Sequence, residues 1–141
     1  MEVTFKSISK TEIIQIVPLL FELNEERISK TTLSTRVLEM VQQNYECIGV
    51  FAESKLIGMA GLWFQTRHYA GKSVELDHVL ITKAYQGCGI GTKFMHWITN
   101  FVKVKGCLWI ELNTYVHNFP SHKFYYNQGF VAKGYHLTKT L

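Results

Sequence analysis

The sequence predicts a mixed α/β (α+β) fold, a mostly antiparallel sheet containing one central parallel strand pair. Two observations carry that expectation. Glu46 to Glu53 and Leu56 to Arg67 are rich in β-branched, aromatic and glycine residues and are joined by Glu53-Ser54-Lys55, the size of a hairpin turn. Further on, a strand-like run from Val74 to Ile81 passes through a glycine-rich turn into a helix-like run, Ile90 to Lys105, and then into Leu108 to Leu112. Strand, helix, strand in that order is a crossover unit, which sets two strands side by side in parallel.

The elements follow in order. Val3 to Ser7 alternates apolar and polar residues and reads as the first strand. Ser9 and Glu12 then have capping-box spacing, so a helix is expected to start there, with Ile13, Ile16, Val17, Leu20 and Leu23 on one face and Pro18 kinking or restarting it. Asn24 to Thr32 carries no apolar period and reads as a loop before a second helix marked by Leu33, Val37, Leu38 and Val41. The hairpin strands come next, and Tyr69-Ala70-Gly71-Lys72 turns the chain into the Val74 strand.

In that strand, strict alternation puts Val74, Leu76, His78 and Leu80 on one face and Glu75, Asp77, Val79 and Ile81 on the other. Ile90, Phe94, Trp97, Ile98, Phe101 and Val102 follow the 3.6-residue period, with Lys93, His96, Asn100 and Lys103 opposite. Asn118 to Gln128 reads as a short helix stopped by Gly129, and the alternating segment from Phe130 to Leu141 as a final, sixth strand.

A chain of 141 residues, 47% hydrophobic and 18% charged, suits one globular domain spanning residues 1–141. The start of the chain lacks a signal peptide's order and no window is apolar enough to span a bilayer, so a cytoplasmic protein with no membrane partner is expected. Cys47, Cys88 and Cys107 show no paired spacing, and the six histidines show no ligand spacing, so no metal is expected. The net charge of +4 suits an anionic partner, but the lysines are dispersed, which argues against nucleic acid.

The anion has a natural seat. In Gln86-Gly87-Cys88-Gly89-Ile90-Gly91-Thr92, three glycines permit positive φ angles just where a helix begins. The first amides of a helix have no intrahelical acceptor and its dipole is positive at that end, which suits a phosphate or pyrophosphate. Thr92 stands where a dinucleotide fingerprint needs its third glycine, and Gly91-Thr92-Lys93 is not the P-loop order.

These residues resemble the GNAT superfamily of acetyl-coenzyme A dependent N-acetyltransferases. Gln86 to Gly91 is similar to that family's pyrophosphate motif, a Gln or Arg followed three and five positions on by Gly and by Gly or Ala. Asn118 to Phe130 is similar to its second signature, with Ser121 where Ala is usual. The resemblance implies a GNAT-like sheet with helices on both faces, acetyl-coenzyme A as cosubstrate, and direct transfer of the acetyl group to an amine. It also assigns roles. Main-chain groups of Val79, Leu80 and Ile81 would pair with the pantetheine arm, and a strand amide near Val79 would polarise the thioester carbonyl. The amides of Gly87, Cys88, Gly89, Ile90, Gly91 and Thr92 would hold the pyrophosphate, with Gln86 shaping the loop and Asn118 bonding the cofactor's arm.

Tyr125 matches the tyrosine that protonates the departing thiolate. Glu75, eleven positions before Gln86, matches the spacing of a glutamate base, with Asp77 as its substitute. A base is needed because an ammonium has no lone pair with which to attack. His78, His117 and His122 remain possible site residues, and Trp63, Phe64, His68 and Tyr69 could wall the acceptor side, where Glu75, Asp77 and Glu111 would favour a cation. The alternative is a non-catalytic acyl-coenzyme A binding or sensing module. The open sheet edge after the last strand suggests a homodimer.

Overall fold

The computed structural model describes residues 2–141. The chain forms two compact units, Met1–Glu111 and Leu112–Leu141, each described by itself. β1 (Val3–Ser7), β2 (Tyr45–Ala52), β3 (Lys55–Arg67) and β4 (Gly71–Ile81) are successive antiparallel strands. β5 (Trp109–Leu112) lies beside β4 and parallel to it, giving the sheet order β1-β2-β3-β4-β5. The amide of Leu108 donates to the carbonyl of Lys72 at 2.8 Å, which sets the register of the parallel pair at the start of β4. β5 is four residues long and β4 eleven, so β4 runs on after β5 has ended.

The segment after β1 begins as a 3₁₀ helix, Lys10–Ile16, and becomes α-helical only at α1 (Val17–Leu23). The expected capping box is not made. Ser9 Oγ lies 3.2 Å from Thr11 Oγ1 and accepts nothing from the helix, so the first turns tighten into 3₁₀ geometry. Pro18, in the first turn of α1, needs no intrahelical acceptor there and marks the restart. α2 (Lys30–Met40) starts earlier than the apolar period suggests, because Ser29 Oγ accepts from the Thr32 amide and caps it.

The 3₁₀ helix, α1 and α2 bury Ile16, Val17, Leu20, Leu33 and Val37 in one cluster with Tyr45, Cys47 and Met59 of the sheet. α3 (Ile90–Val104) buries Phe94, Ile98 and Val102, with Phe94 stacked on Phe5 at 5.2 Å, while Lys93, His96, Asn100 and Lys103 stay exposed as their period requires. Full burial of each such large side chain contributes roughly 1.5–3 kcal/mol, which fixes the helix on the sheet. Its C-terminus closes on Gly106 at φ +89, with Gly106 N–H donating to Lys103 and Cys107 N–H to Val102.

In the second unit, α4 (Phe119–Asn127) is capped by Asn118 and stopped at Gly129. The expected final strand is not there: residues 130–141 form no strand among the described residues. Val131, Tyr135 and Leu137 alternate as a strand face would, yet all three are exposed. Alternation describes a face; a strand also needs a neighbour to bond, and a period of two cannot supply one.

Candidate active site

The glycine loop and the start of α3 lie where the sequence places them. After Ile81 the chain makes one 3₁₀ turn, Lys83–Tyr85, and Gln86 Nε2 reaches back to donate to the Ile81 carbonyl at 2.8 Å, tying the loop to the end of β4. Gly87 and Gly89 stand at φ +79 and +77, and Gly89 is the N-cap of α3 with no side-chain cap. A Cβ at either glycine would meet nothing, so glycine is needed there for its backbone angle and not for room. Among the described residues, the amides of Gly87, Cys88, Gly89, Ile90, Gly91 and Thr92 donate to no carbonyl of the protein. A run of unpaired donors at the positive end of a 15-residue helix has the chemistry to hold an anion. The Cys88 thiol is exposed beside it.

Just before that seat the strand departs from strict alternation. Gly61 pairs with Asp77 but Met59 with Leu80, so three residues of β4 span two of β3, and His78 takes φ +36. This is a β-bulge, with a non-glycine residue in the left-handed region at a cost of roughly 1–2 kcal/mol. Its consequence corrects the expected faces. His78 turns to Tyr45 and Leu80 joins the core beneath α1 and α2, instead of sharing the side of Val74 and Leu76.

The imidazole of His78 occupies the volume where Gly61 has no side chain, with Nε2 2.6 Å from Tyr45 Oη. Its Nδ1 is buried with no partner. Burial holds the His78 pKa below the ordinary histidine value, against the pull of Asp77, and pushes the Tyr45 phenol far up. Both are neutral near pH 7. Cys47, alongside, is pushed by burial up to about 12 and is a core thiol. Asp77 Oδ1 accepts from the His78 amide at 2.8 Å and Oδ2 from Trp63 Nε1 at 3.2 Å, so this carboxylate braces the bulge.

Glu75 has a cationic neighbour. Arg67 Nε and Nη2 donate to the two oxygens of Glu111 at 3.3 and 3.2 Å, and Arg67 Nη2 also lies 3.9 Å from Glu75 Oε1. Arg67, at the end of β3, therefore ties β4 to β5. Of the aromatic residues expected on the acceptor side, Trp63 stands beside Tyr45 at 4.8 Å, while the Phe64 ring lies under Lys105 Nζ. A cavity of about 700 Å³ lined by Lys10, Tyr45, Gln65 and Lys72 shares no residue with the anion seat.

In the second unit, Asn118 Oδ1 accepts from the Ser121 amide at 3.4 Å and caps α4. Gly129 at φ +94 closes the other end: its amide donates to Tyr126 and that of Phe130 to Tyr125, both at 3.0 Å. The rings of Phe130 and Phe124 stand edge-on to Tyr125 at 5.7 and 5.3 Å, and burial raises the phenol's pKa, so it stays protonated at neutral pH. His122 Nε2 lies 2.8 Å from the Tyr115 carbonyl, and the His117 ring stacks on Tyr115. Among the described residues no three His, Cys, Asp or Glu side chains converge as metal ligands would.

Tyr45, Gly61 and Arg67 were not singled out by sequence reasoning. A glycine inside a strand is the ordinary signal of a bulge or a close approach, and Gly61 offered it. Nothing in the sequence pointed to Arg67.

Comparison with known proteins bears on the fold and the family. No curated protein sequence matches the chain. A transcriptional regulator from Bacillus halodurans C-125 has the same fold, with a TM-score of 0.85 at 22% identity over 99% of this chain and 100% of its own. So does an aminoglycoside acetyltransferase from an uncultured soil metagenomic sample, solved in complex with trehalose, with 0.86 at 16% identity over 99% and 96%. AAC(6')-Iy, solved in complex with a bisubstrate analogue, CoA-S-monomethyl-acetylneamine, gives 0.83 at 16% over 100% and 99%. At such identities the likeness shows the fold alone. The family model for the acetyltransferase (GNAT) family matches residues 14–130, which takes in every strand from β2 on, the anion seat and the capped Tyr125 helix. With most of its length matched, the chain belongs to the acetyltransferase (GNAT) family.

Proposed function

We propose that the protein is an N-acetyltransferase that moves the acetyl group of acetyl-coenzyme A directly to a primary amine of a small molecule, peptide or protein. The observation that carries the reading is the run of unpaired amides from Gly87 to Thr92 opening α3 at the end of β4, which fits a diphosphate. Acetyl-coenzyme A supplies, when bound, an acyl group activated as a thioester.

The chain's own residues divide the remaining work. Gly87 to Thr92 bind the diphosphate through main-chain N–H groups, and Gln86 holds that loop to Ile81. Val79, Leu80 and Ile81 offer main-chain groups to the pantetheine arm, and the Val79 amide stabilises negative charge on the carbonyl oxygen. Asn118, beyond its capping bond, offers its amide to the same arm. Glu75 takes the proton that the amine gives up as its nitrogen bonds the acyl carbon. Tyr125 gives its phenolic proton to the sulfur as the carbon–sulfur bond breaks, and recovers one from water. The raised pKa of Tyr125 keeps that proton available.

A second reading, an acyl-coenzyme A binding module without turnover, is favoured by one observation: Glu75 stands in an ion pair with Arg67. Incubation with acetyl-coenzyme A and a panel of amines, reading product mass and free thiol together, separates the two. Acetylated amine with matching thiol supports the enzyme. Calorimetric binding of coenzyme A with no thiol from any amine supports the module, and no binding at millimolar coenzyme A sinks both.

A further inference from the structure

We infer that His78 is a positioning residue of this site: its imidazole, seated over Gly61 and tied to the Tyr45 phenol, holds the β4 bulge and with it the direction of the Val79 amide. The inference rests on the acetyl-transfer reading for what that amide does, but the lock itself stands on packing alone.

A residue other than glycine does not rest at φ +36 unless its surroundings over-determine it. Three contacts do so here. The ring fills the gap over Gly61, where any side chain would collide with it. Its Nε2 shares a proton with Tyr45 Oη at 2.6 Å, and Tyr45 is itself buried against Trp63. The His78 amide, turned out of the ladder by the bulge, is taken up by Asp77 Oδ1, whose other oxygen is held by Trp63.

By strand pairing, the groups on the imidazole's face of the sheet are Tyr45 and Cys47 from β2, Trp63 from β3, and Asp77 with Glu75 from β4, and of these Tyr45 and Asp77 bond His78. The next main-chain amide after this braced residue is that of Val79, and the anion seat follows five residues beyond Ile81. Because β4 runs on past the end of β5, its late amides are steered by this side-chain lock and not by a full ladder on both sides.

The test uses the whole protein with Tyr45→Phe, His78→Asn and the double variant. In ¹⁵N-labelled samples the His78 and Val79 amides should exchange with solvent about tenfold faster in Tyr45→Phe while those of β1 hold their rates. In thiol release, kcat should fall about tenfold or more with KM for acetyl-coenzyme A within about twofold, because a misdirected donor costs rate and not uniform binding. The double variant should be no worse than His78→Asn alone, since both remove one device. Exchange that quickens evenly across the sheet, kcat that is unchanged when Val79 loosens, or losses that add would each overturn the inference. A wild-type protein that releases no thiol with any amine would sink the transfer reading instead. The exchange comparison would then still decide whether the lock holds the bulge.

Discussion

The imidazole of His78 lies where a side chain on Gly61 would have to be, so one residue's bulk is seated in another's absence. Gly61→Ala should therefore overpack the site between β3 and β4. We expect about 1–3 kcal/mol of destabilisation, read as a melting temperature lower by several degrees. Gly134→Ala, where a Cβ meets nothing, is the matched control and should leave the melting temperature nearly unchanged. A Gly61→Ala variant as stable as the wild type would mean that the ring has another resting place.

Burial keeps His78 neutral, which makes stability depend on pH in a stated direction. The unfolded histidine binds a proton near its ordinary value of 6.5 while the folded one resists it. The contribution is therefore complete above that value and is lost as pH falls from about 6.5 towards the lower folded pKa. Melting temperatures measured from pH 7.5 down to pH 5 should decline, and His78→Asn should flatten the decline.

At the anion seat the two positive-φ glycines and the free space around them separate shape from conformation. Gly87→Ala and Gly89→Ala add no clash, so their effect must come through the backbone, roughly 1–2 kcal/mol for each. Calorimetry should find coenzyme A binding about tenfold weaker in each. Gly89→Asn should recover part of it, since Asn tolerates the left-handed region. Equal affinity in all three variants would remove the loop from the binding site.

Tyr125 is held from both ends of one cap: its carbonyl accepts from Phe130 and its ring meets that of Phe130, an arrangement that needs Gly129 at φ +94. Tyr125→Phe should lower thiol release about 100-fold with coenzyme A binding unchanged, the size expected for loss of a general acid. Gly129→Ala, which leaves the phenol in place, should cost about 1 kcal/mol of stability through the cap. Unchanged thiol release in Tyr125→Phe would remove the residue from its role.

Arg67 answers to two acids, and the pair it makes with Glu111 is the tighter. These groups are about one-quarter to one-third exposed and screened by solvent, so Arg67→Gln should leave the melting temperature nearly unchanged. Its effect on thiol release is the sharper reading. If Glu75 is the base, Glu75→Gln should abolish the amine-dependent rate, while Arg67→Gln, which keeps the carboxylate, should leave a measurable one.

Much of the fold was legible because it rests on local signals. The helix of Phe94, Ile98 and Val102 was visible in its period, the hairpin in Glu53-Ser54-Lys55, and the turn into α3 in glycines whose backbone angles no other residue adopts easily. What failed to show was settled by competing local partners or by distant ones. Ser9 and Glu12 have the spacing of a capping box, but Ser9 turns to Thr11 instead. Val131, Tyr135 and Leu137 have a strand's alternation without a strand to pair with. The faces of His78 and Leu80 depend on one extra residue opposite Gly61 and Met59, which a pattern read along one strand does not register. Arg67 joins Glu111 across 44 positions of sequence.

The bulge also bears on how the end of β4 tolerates change. An odd-even rule that holds as far as Leu76 is inverted by the time the chain reaches Leu80, so a single codon sets the parity of everything between it and the glycine loop. Excising His78 would leave Leu80 opposite Met59 and Ile81 opposite Gly58 with no surplus residue between the strands, so Val79, Leu80 and Ile81 would keep the faces they now hold. In this strand the surplus residue could go without turning the last three over.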